Sequence, residues 1–244
     1  MKRFWKEAAV VQEAAGLAVT LDGRPMRLPG GVSLRFANRA LAEAIAVEWG
    51  QAGAPGEPFS FDMVPMTRLA GTAQERVAVD PAASVEALVS YGGSDLLCYR
   101  ADGPEELTTR QERLWQPLLD WAEQRYGARL HVTTGIIHVS QPEASLMALR
   151  AALTALAPAA LAALGIVVPA LGSLVIGLAL AEGRLDPPEA LEIALLDDLY
   201  QEEKWGADAE AAKRRTHLAA DVETAIRFLR LSAGVAEQDG EAAQ

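Results

Sequence analysis

Few of the side chains that commonly do chemistry stand at spacings that would let them do it. The three histidines, His131, His138 and His217, have no second ligand type beside them at metal spacing, and Cys98 is the single cysteine. Neither a structural zinc site nor an internal disulfide is therefore expected, and a reducing compartment is the economical reading. Cys98 follows Leu96 and Leu97 and precedes Tyr99, a setting for a buried, inert thiol rather than a nucleophile. Gly92-Gly93-Ser94-Asp95 lacks the lysine of a phosphate-binding loop. Gly172-Ser173 is half of a nucleophile elbow, whose first glycine is replaced by Leu171. No catalytic, cofactor-binding or metal-binding residue is assigned. The pattern points to a binding protein, the alternative being a small hydrolase or transferase with an unrecognised site.

The polar feature that remains is the stretch from Leu191 to Trp205. Leu191, Leu195, Asp198 and Glu202 fall on one helical stripe whose first half is apolar and whose second half is acidic. Asp197, Asp198, Glu202 and Glu203 gather four carboxylates, but on a helix and without the glycine-punctuated loop that holds calcium. Such a stripe either leaves a core for solvent or presents carboxylates beside apolar groups, here Tyr200 and Trp205, as a docking surface. Trp205 beside Lys204 is equally readable as a core anchor at a helix end.

The surrounding elements divide by pattern. Phe4 to Val11 and Leu17 to Leu21 are candidate strands, the second alternating large and small side chains. Asp22-Gly23 supplies a two-residue hairpin turn, and Arg24 to Leu28 returns with Pro25 at an edge position. Pro29-Gly30-Gly31 turns the chain again into a short strand, Val32 to Phe36. Asn38 caps a helix from Arg39 to Gln51, with Leu41, Ala44, Ile45 and Glu48-Trp49 at helical spacing. From Asp80 onward the pattern is helical. Asp80-Pro81 opens one helix, and Thr108 or Thr109 caps the next, which carries Leu114, Leu118, Trp121 and Ala122 on one face. Pro117 predicts a kink in it, and Gly127 its end. Leu130 to Val139 leans toward β structure, Pro142 opens a further helix, and two Ala/Leu-rich helices follow, broken at Pro158 and Pro169. Asp186-Pro187-Pro188-Glu189 starts a helix running to Trp205, where Gly206 stops it, and a last helix spans about Asp208 to Leu231. The fold class is α+β: a small α+β domain over 1–79, an all-helical domain over 80–233 and a flexible acidic tail over 234–244.

With 33 acidic against 22 basic residues, the formal net charge is −11, and no Lys/Arg run stands out, which argues against nucleic acid as a partner. Ala151 to Ala181 contains no charged side chain, long enough to span a bilayer, yet Pro158, Pro169 and three glycines interrupt it. Buried helices and no stable membrane insertion are expected; a membrane-associated assembly factor would rest on this run alone. The N-terminal residues lack both the apolar core of a secretory signal and the length of a transit peptide.

Seven short segments together resemble the chaperones that mitochondria and some bacteria use to assemble the F₁ head of ATP synthase, specifically the α-subunit branch. They are Arg3-Phe4-Trp5-Lys6, Leu21-Asp22-Gly23-Arg24-Pro25, Pro65-Met66-Thr67-Arg68-Leu69-Ala70 and Asp95-Leu96-Leu97-Cys98-Tyr99-Arg100. After them come Trp115-Gln116-Pro117-Leu118 with Trp121, then Gly172-Ser173-Leu174, and Tyr200-Gln201-Glu202-Glu203-Lys204-Trp205-Gly206. They occur in the family's order across about nine-tenths of the chain. The resemblance implies a non-enzymatic, ATP-independent and cofactor-free chaperone that shields free α subunit until the β subunit displaces it. It implies an orthogonal bundle for the helical domain, and a sensitive acidic position that falls on Asp197 or Asp198. The expected client-binding residues are Asp197, Asp198, Tyr200, Gln201 and Trp205. A monomer in a bacterial cytoplasm is expected, the mitochondrial matrix being the place of eukaryotic relatives.

Overall fold

Trp5 is fully buried, and the first part of the chain is arranged around it. Its indole N–H donates to the carbonyl of Trp49 at 3.0 Å, and its ring meets Trp49 and Phe59 edge-on at 4.8 and 5.0 Å. This segment does not continue into the first strand as the sequence suggests. Arg3 N–H bonds to the Glu57 carbonyl at 2.9 Å, so the chain pairs locally there, and β1 (Ala8–Glu13) starts only afterwards. The computed structural model describes residues 2–28 and 30–234.

β1 pairs antiparallel with β2 (Gly16–Leu21), and β2 with the two-residue β3 (Arg24–Pro25), in the order β1-β2-β3. The hairpin between β2 and β3 is the expected one. Asp22 and Gly23 have φ of 48° and 76°, the positive values a tight primed turn requires, and β3 with Pro25 lies at the edge. The Asp22 carboxylate accepts from the N–H groups of Glu7 and Lys6, which lowers its pKa. Val32 to Phe36 forms only isolated bridges, Arg27 with Ser33 and Phe36 with Leu17, rather than a strand. Helix α1 (Arg39–Gln51) has its expected bounds and its Asn38 cap, which accepts from Ala40 N–H at 2.9 Å.

Helix α2 (Pro65–Thr72), running on into a π-helical turn over Ala73–Val77, has no counterpart in the sequence reading. Its N-terminal Val64 supplies no side-chain cap. The cap comes instead from Glu48 on α1, whose carboxylate accepts from Met66 N–H, Thr67 N–H and the Thr67 hydroxyl at 2.7, 3.1 and 2.8 Å. Burial raises the Glu48 pKa against the pull of those donors. Pro65-Met66-Thr67 is thus a helix start whose capping group lies in another element.

From Asp80 the chain is helical, as expected, with α3 (Pro81–Gly92), α4 (Glu105–Tyr126), α5 (Glu143–Thr154), α6 (Pro158–Leu171) and α7 (Leu174–Ala181). Asp80 caps α3 by accepting from Ala83 N–H. Helix α4 begins a turn before Thr108, at Glu105 after Pro104, where Glu105 and Glu106 suit the positive end of the helix dipole. Pro117 lies within it without ending it, and Gly127, at φ 74°, does end it. In the β-leaning connector only Thr133–Thr134 (β5) forms a strand, parallel to β4 (Tyr99–Arg100). The apolar run breaks at Gly172-Ser173 rather than at Pro169, which sits in the last turn of α6; Gly172 takes φ 67° and the Ser173 hydroxyl caps α7. Leu174 to Leu180 are all buried. A Cβ on Gly177 would come within 2.5 Å of Val168 Cγ2, so the glycine is what allows α6 and α7 to approach so closely. No helix among the described residues is long and apolar enough to cross a membrane.

The described residues pack as two units, one of 2–79 with 158–162 and 227–234, the other of 80–157 with 163–226. The start of α6 and the end of the last helix, α10 (Ala209–Ser232), therefore cluster with the first unit. The sequence reading placed them in the helical domain. Residues 235–244, most of the expected acidic tail, lie outside the described residues. Strands first and helices after make the fold α+β.

Candidate functional site

The stretch expected as one helix from Asp186 to Trp205 is two. Asp186 and Glu189 form the expected capping box, with reciprocal bonds of 2.9 and 3.1 Å, and α8 (Pro187–Ala194) follows. At Leu195, with φ −98° and ψ 14°, the helix breaks and α9 (Leu196–Trp205) begins. A continuous helix would offer the Ile193 carbonyl to residue 197. Here it accepts from the indole N–H of buried Trp115 on α4, at 2.9 Å. The break re-aims every side chain beyond it, so the stripe joining Leu191 to Glu202 is not one continuous face.

The two candidate aspartates consequently differ. Asp197 is half-buried and accepts from the side-chain N–H of Gln111 at 2.8 Å. Gln111 is fully buried, and its carbonyl oxygen accepts from Ala101 N–H at 2.9 Å, so Asp197 closes a bridge into the helical unit. Asp198 is exposed, and its charge helps raise the pKa of Arg215, whose main cause is the hydrogen bond to Glu202.

Tyr200 is buried at 5% exposure, its hydroxyl 3.3 Å from Glu106, with the cations of Arg110 and Lys204 over its ring at 5.3 and 5.0 Å. Around it runs a lattice of ion pairs. Glu106 accepts from Lys204 and Arg110 at 2.7 and 2.8 Å, and Arg110 also donates to both oxygens of Glu203. The hydrogen bond from Lys204 holds the Glu106 carboxyl below its usual range, and Glu106 in turn raises Lys204.

Asp198, Gln201 and Trp205 line one groove of about 460 Å³, together with Leu195, Gly206 and Asp208 on one side and Arg214, Arg215 and Leu218 of α10 on the other. Trp205 is 79% exposed, so it anchors no core. The structure thus brings three of the five candidate residues together and turns Asp197 and Tyr200 inward. The α10 arginines complete the groove and were not among the candidates. Nothing in their local sequence distinguishes them from an ordinary solvated helix face.

The remaining motif segments meet one another in pairs. Asp95 is fully buried; it accepts from Leu97 N–H at 3.1 Å and from Val175 N–H at 3.0 Å, joining Asp95-Leu96-Leu97 to the start of α7 after Gly172-Ser173. Burial pushes its carboxyl up to about 6. Cys98, buried as expected, has its thiol pushed up to about 12 by burial, which leaves it protonated and unreactive. Arg100 lies over Trp115 at 5.3 Å and donates to Gln116 at 3.3 Å. Its Nε and Nη1 make no hydrogen bond among the described residues, although Glu112 stands 3.8 Å from Nη1. These segments are framework: Asp95 and the start of α7, and Arg100 and Gln116, hold one another through buried polar groups.

Comparison with known proteins identifies the family and agrees with the fold. The model of a family described as ATP12 chaperone protein matches residues 2–123. The mitochondrial protein atp12 of Schizosaccharomyces pombe is 25% identical over 221 residues, covering 86% of this chain and 75% of its own length. Among solved structures, Atp12 from Paracoccus denitrificans is 41% identical with a TM-score of 0.86, over 95% of this chain and 98% of that one. An aspartate-to-lysine variant of the same protein superposes equally well, at 0.86. The Atu1473 protein of Agrobacterium tumefaciens is 38% identical with a TM-score of 0.88, over 95% of this chain and 86% of that one.

Proposed function

From the premise that the chain belongs to the ATP12 chaperone family, we propose that it holds the free α subunit of the F₁ ATP synthase head before assembly and yields it to the β subunit. The observation that carries this reading is Trp205, a large aromatic side chain left 79% exposed beside Asp198 and Gln201 in the α9–α10 groove. Aromatic side chains dominate interface energetics when a partner covers them, and carboxylates beside them set orientation. A subunit awaiting a large native interface exposes apolar surface that aggregates. A chaperone for it needs moderate affinity, so that the larger native interface wins the exchange. Within this reading Asp198, Gln201 and Trp205 touch the client, while Asp197 and Tyr200 hold the surface that presents them. The work is non-enzymatic and needs no nucleotide. The protein acts as a cytoplasmic monomer specific for the α subunit.

Light scattering of isolated α subunit tests this. Aggregation is suppressed at stoichiometric chaperone without ATP, and Trp205→Ala reduces the suppression while leaving the thermal melt unchanged. Absence of suppression by the wild-type protein, or strict dependence on ATP, would refute the reading.

A further inference from the structure

The first unit carries a second groove, larger than that at α9 and opposite in its charge. Its volume is about 710 Å³, and Leu21, Met26, Leu28, Leu34 and the rings of Phe4 and Phe61 give it an apolar lining. Leu21, Met26, Leu28 and Leu34 form its buried floor, while Phe4, 68% exposed, and Phe61, 55% exposed, open its apolar rim to solvent. At Gly71 a Cβ would come within 2.9 Å of Leu28 Cδ2, so the α2 wall stands hard against the Leu28 side chain.

Four arginines stand around it, Arg24, Arg27, Arg68 and Arg76, all exposed, against one carboxylate, Glu75. Glu75 is engaged by Gly30 N–H at 3.0 Å. Of the arginines, Arg68 has a carboxylate partner, Asp62 at 2.8 Å, and Arg27 donates to the Gly31 carbonyl at 3.3 Å. Arg24 lies only in the field of Asp22, whose oxygens already accept from two backbone N–H groups. Arg76 makes no ion pair or hydrogen bond among the described residues. In a chain of net charge −11, four cations against one lining carboxylate around an apolar groove reverse the field locally. β3 offers no free edge for strand addition, because Pro25 has no N–H and Met26 N–H is taken by the Val19 carbonyl at 3.0 Å. Recognition there must run through side chains.

We propose that this groove is a second client-binding site, taking a polypeptide segment whose apolar side chains enter the groove while flanking Asp or Glu side chains pair with Arg24, Arg27 and Arg76. It rests on the chaperone reading for the kind of partner, but on its own residues for the chemistry. Apolar burial supplies affinity, and guanidinium–carboxylate pairs made only in the complex supply selection for acidic segments over basic ones.

Fluorescence anisotropy of the full chain with labelled synthetic peptides tests it. The probes are a soluble peptide of leucine and glutamate, one of leucine and lysine, and one of serine and glutamate. The leucine–glutamate peptide binds, and each of the other two binds at least about tenfold more weakly, because each lacks one of the two complementary features. Arg24→Glu combined with Arg76→Glu weakens the leucine–glutamate peptide by about tenfold or more. If that reversal lowers the thermal melt, Arg24→Gln with Arg76→Gln reads the same loss at smaller amplitude. Equal binding by a folded variant and the wild type, or a preference for the lysine peptide, overturns the proposal. So does wild-type binding to phosphatidylglycerol vesicles, lost in the variant, with no peptide binding, since the groove would then be a lipid site. Suppression of α-subunit aggregation is scored separately, so that loss of this site and loss of the chaperone reading are told apart.

Discussion

The groove beside α9 and the groove beside α2 use positive charge in opposite ways. At α9 each cation faces a carboxylate: Arg110 meets Glu106 and Glu203, Lys204 meets Glu106, Arg215 meets Glu202 and Arg214 meets Glu210. At α2, Arg24, Arg27 and Arg76 have no carboxylate hydrogen bond among the described residues. Exposed pairs of the first kind add little net stability, but several in one lattice fix the positions of the helices that bear them. Cations of the second kind keep their charge available to an incoming group. A satisfied surface presents a shape with Trp205 at its centre, whereas an unsatisfied one presents a field. Overall acidity says nothing about which kind of surface a given stretch will make.

The largest effect is expected where the first surface, at α9, loses the helical unit that frames it. Leu174 is fully buried in α7, and Leu174→Asp places an unpaired charge there. The cost is on the order of 4 kcal/mol or more, sufficient to abolish the cooperative melt followed by circular dichroism. Exposed Arg24→Glu with Arg76→Glu should leave the same melt unchanged. The contrast between frame and field breaks if Leu174→Asp remains folded, because α7 would then not be the core on which the helical unit is built.

A buried carboxylate offers a finer test, through pH. Burial raises the Asp95 carboxyl to about 6, against an ordinary value of 3.8, although Val175, Ser173 and Leu97 all donate to it. The folded protein therefore holds a proton that the unfolded chain releases as pH rises from about 4 to about 6. The stability this group contributes is complete below about pH 4 and lost as pH passes through about 6, a change on the order of 2–3 kcal/mol. Asp95→Asn destabilises at every pH, since its amide N–H faces donors. The informative readout is the slope: urea melts of the variant from about pH 4 to about pH 7 should lack the decline that wild type shows. Equal slopes would place the titration elsewhere, for which half-buried Glu48, also raised by desolvation, is the candidate.

What was legible in the sequence was local. Asn38, Asp80, Asp186 with Glu189, Asp22-Gly23 and Gly127 each carry their own reason for a cap or a turn, and each acts as read. The misses are places where the reason is remote. Helix α2 has no cap of its own because Glu48 supplies one, and the break at Leu195, which lacks Gly or Pro, goes with the Ile193 carbonyl bonding to Trp115. Asp197 and Asp198 are adjacent and chemically identical, so no sequence pattern separates them; only the helix register set by that break sends one toward Gln111 and the other toward the groove. The arginines of the α2 groove span positions 24 to 76 in sequence and form no run, which is why composition hid them.

The smallest effects on stability, and the finest division of roles, are expected from that adjacent pair. Asp197→Lys strands the buried Gln111 amide and sets a cation against its N–H. The expected loss is about 1–3 kcal/mol of stability, with any weakening of α-subunit binding following the loss of fold. Asp198→Lys lies on exposed surface and should change the melt by no more than about 0.5 kcal/mol. Its consequence belongs to association, because a rim charge steers encounter more than it holds a complex. Reversing it next to Arg214 and Arg215 leaves Glu202 and Asp208 as the groove's carboxylates and tips its lining from acidic to basic, so the on-rate for α subunit should fall and its dependence on salt should change, with dissociation nearly unaffected. Stopped-flow association beside thermal melts separates the two aspartates. An Asp198→Lys variant that melts early, or an Asp197→Lys variant that slows association while keeping its full melt, would reverse their roles and move the client contact to the inward face of α9.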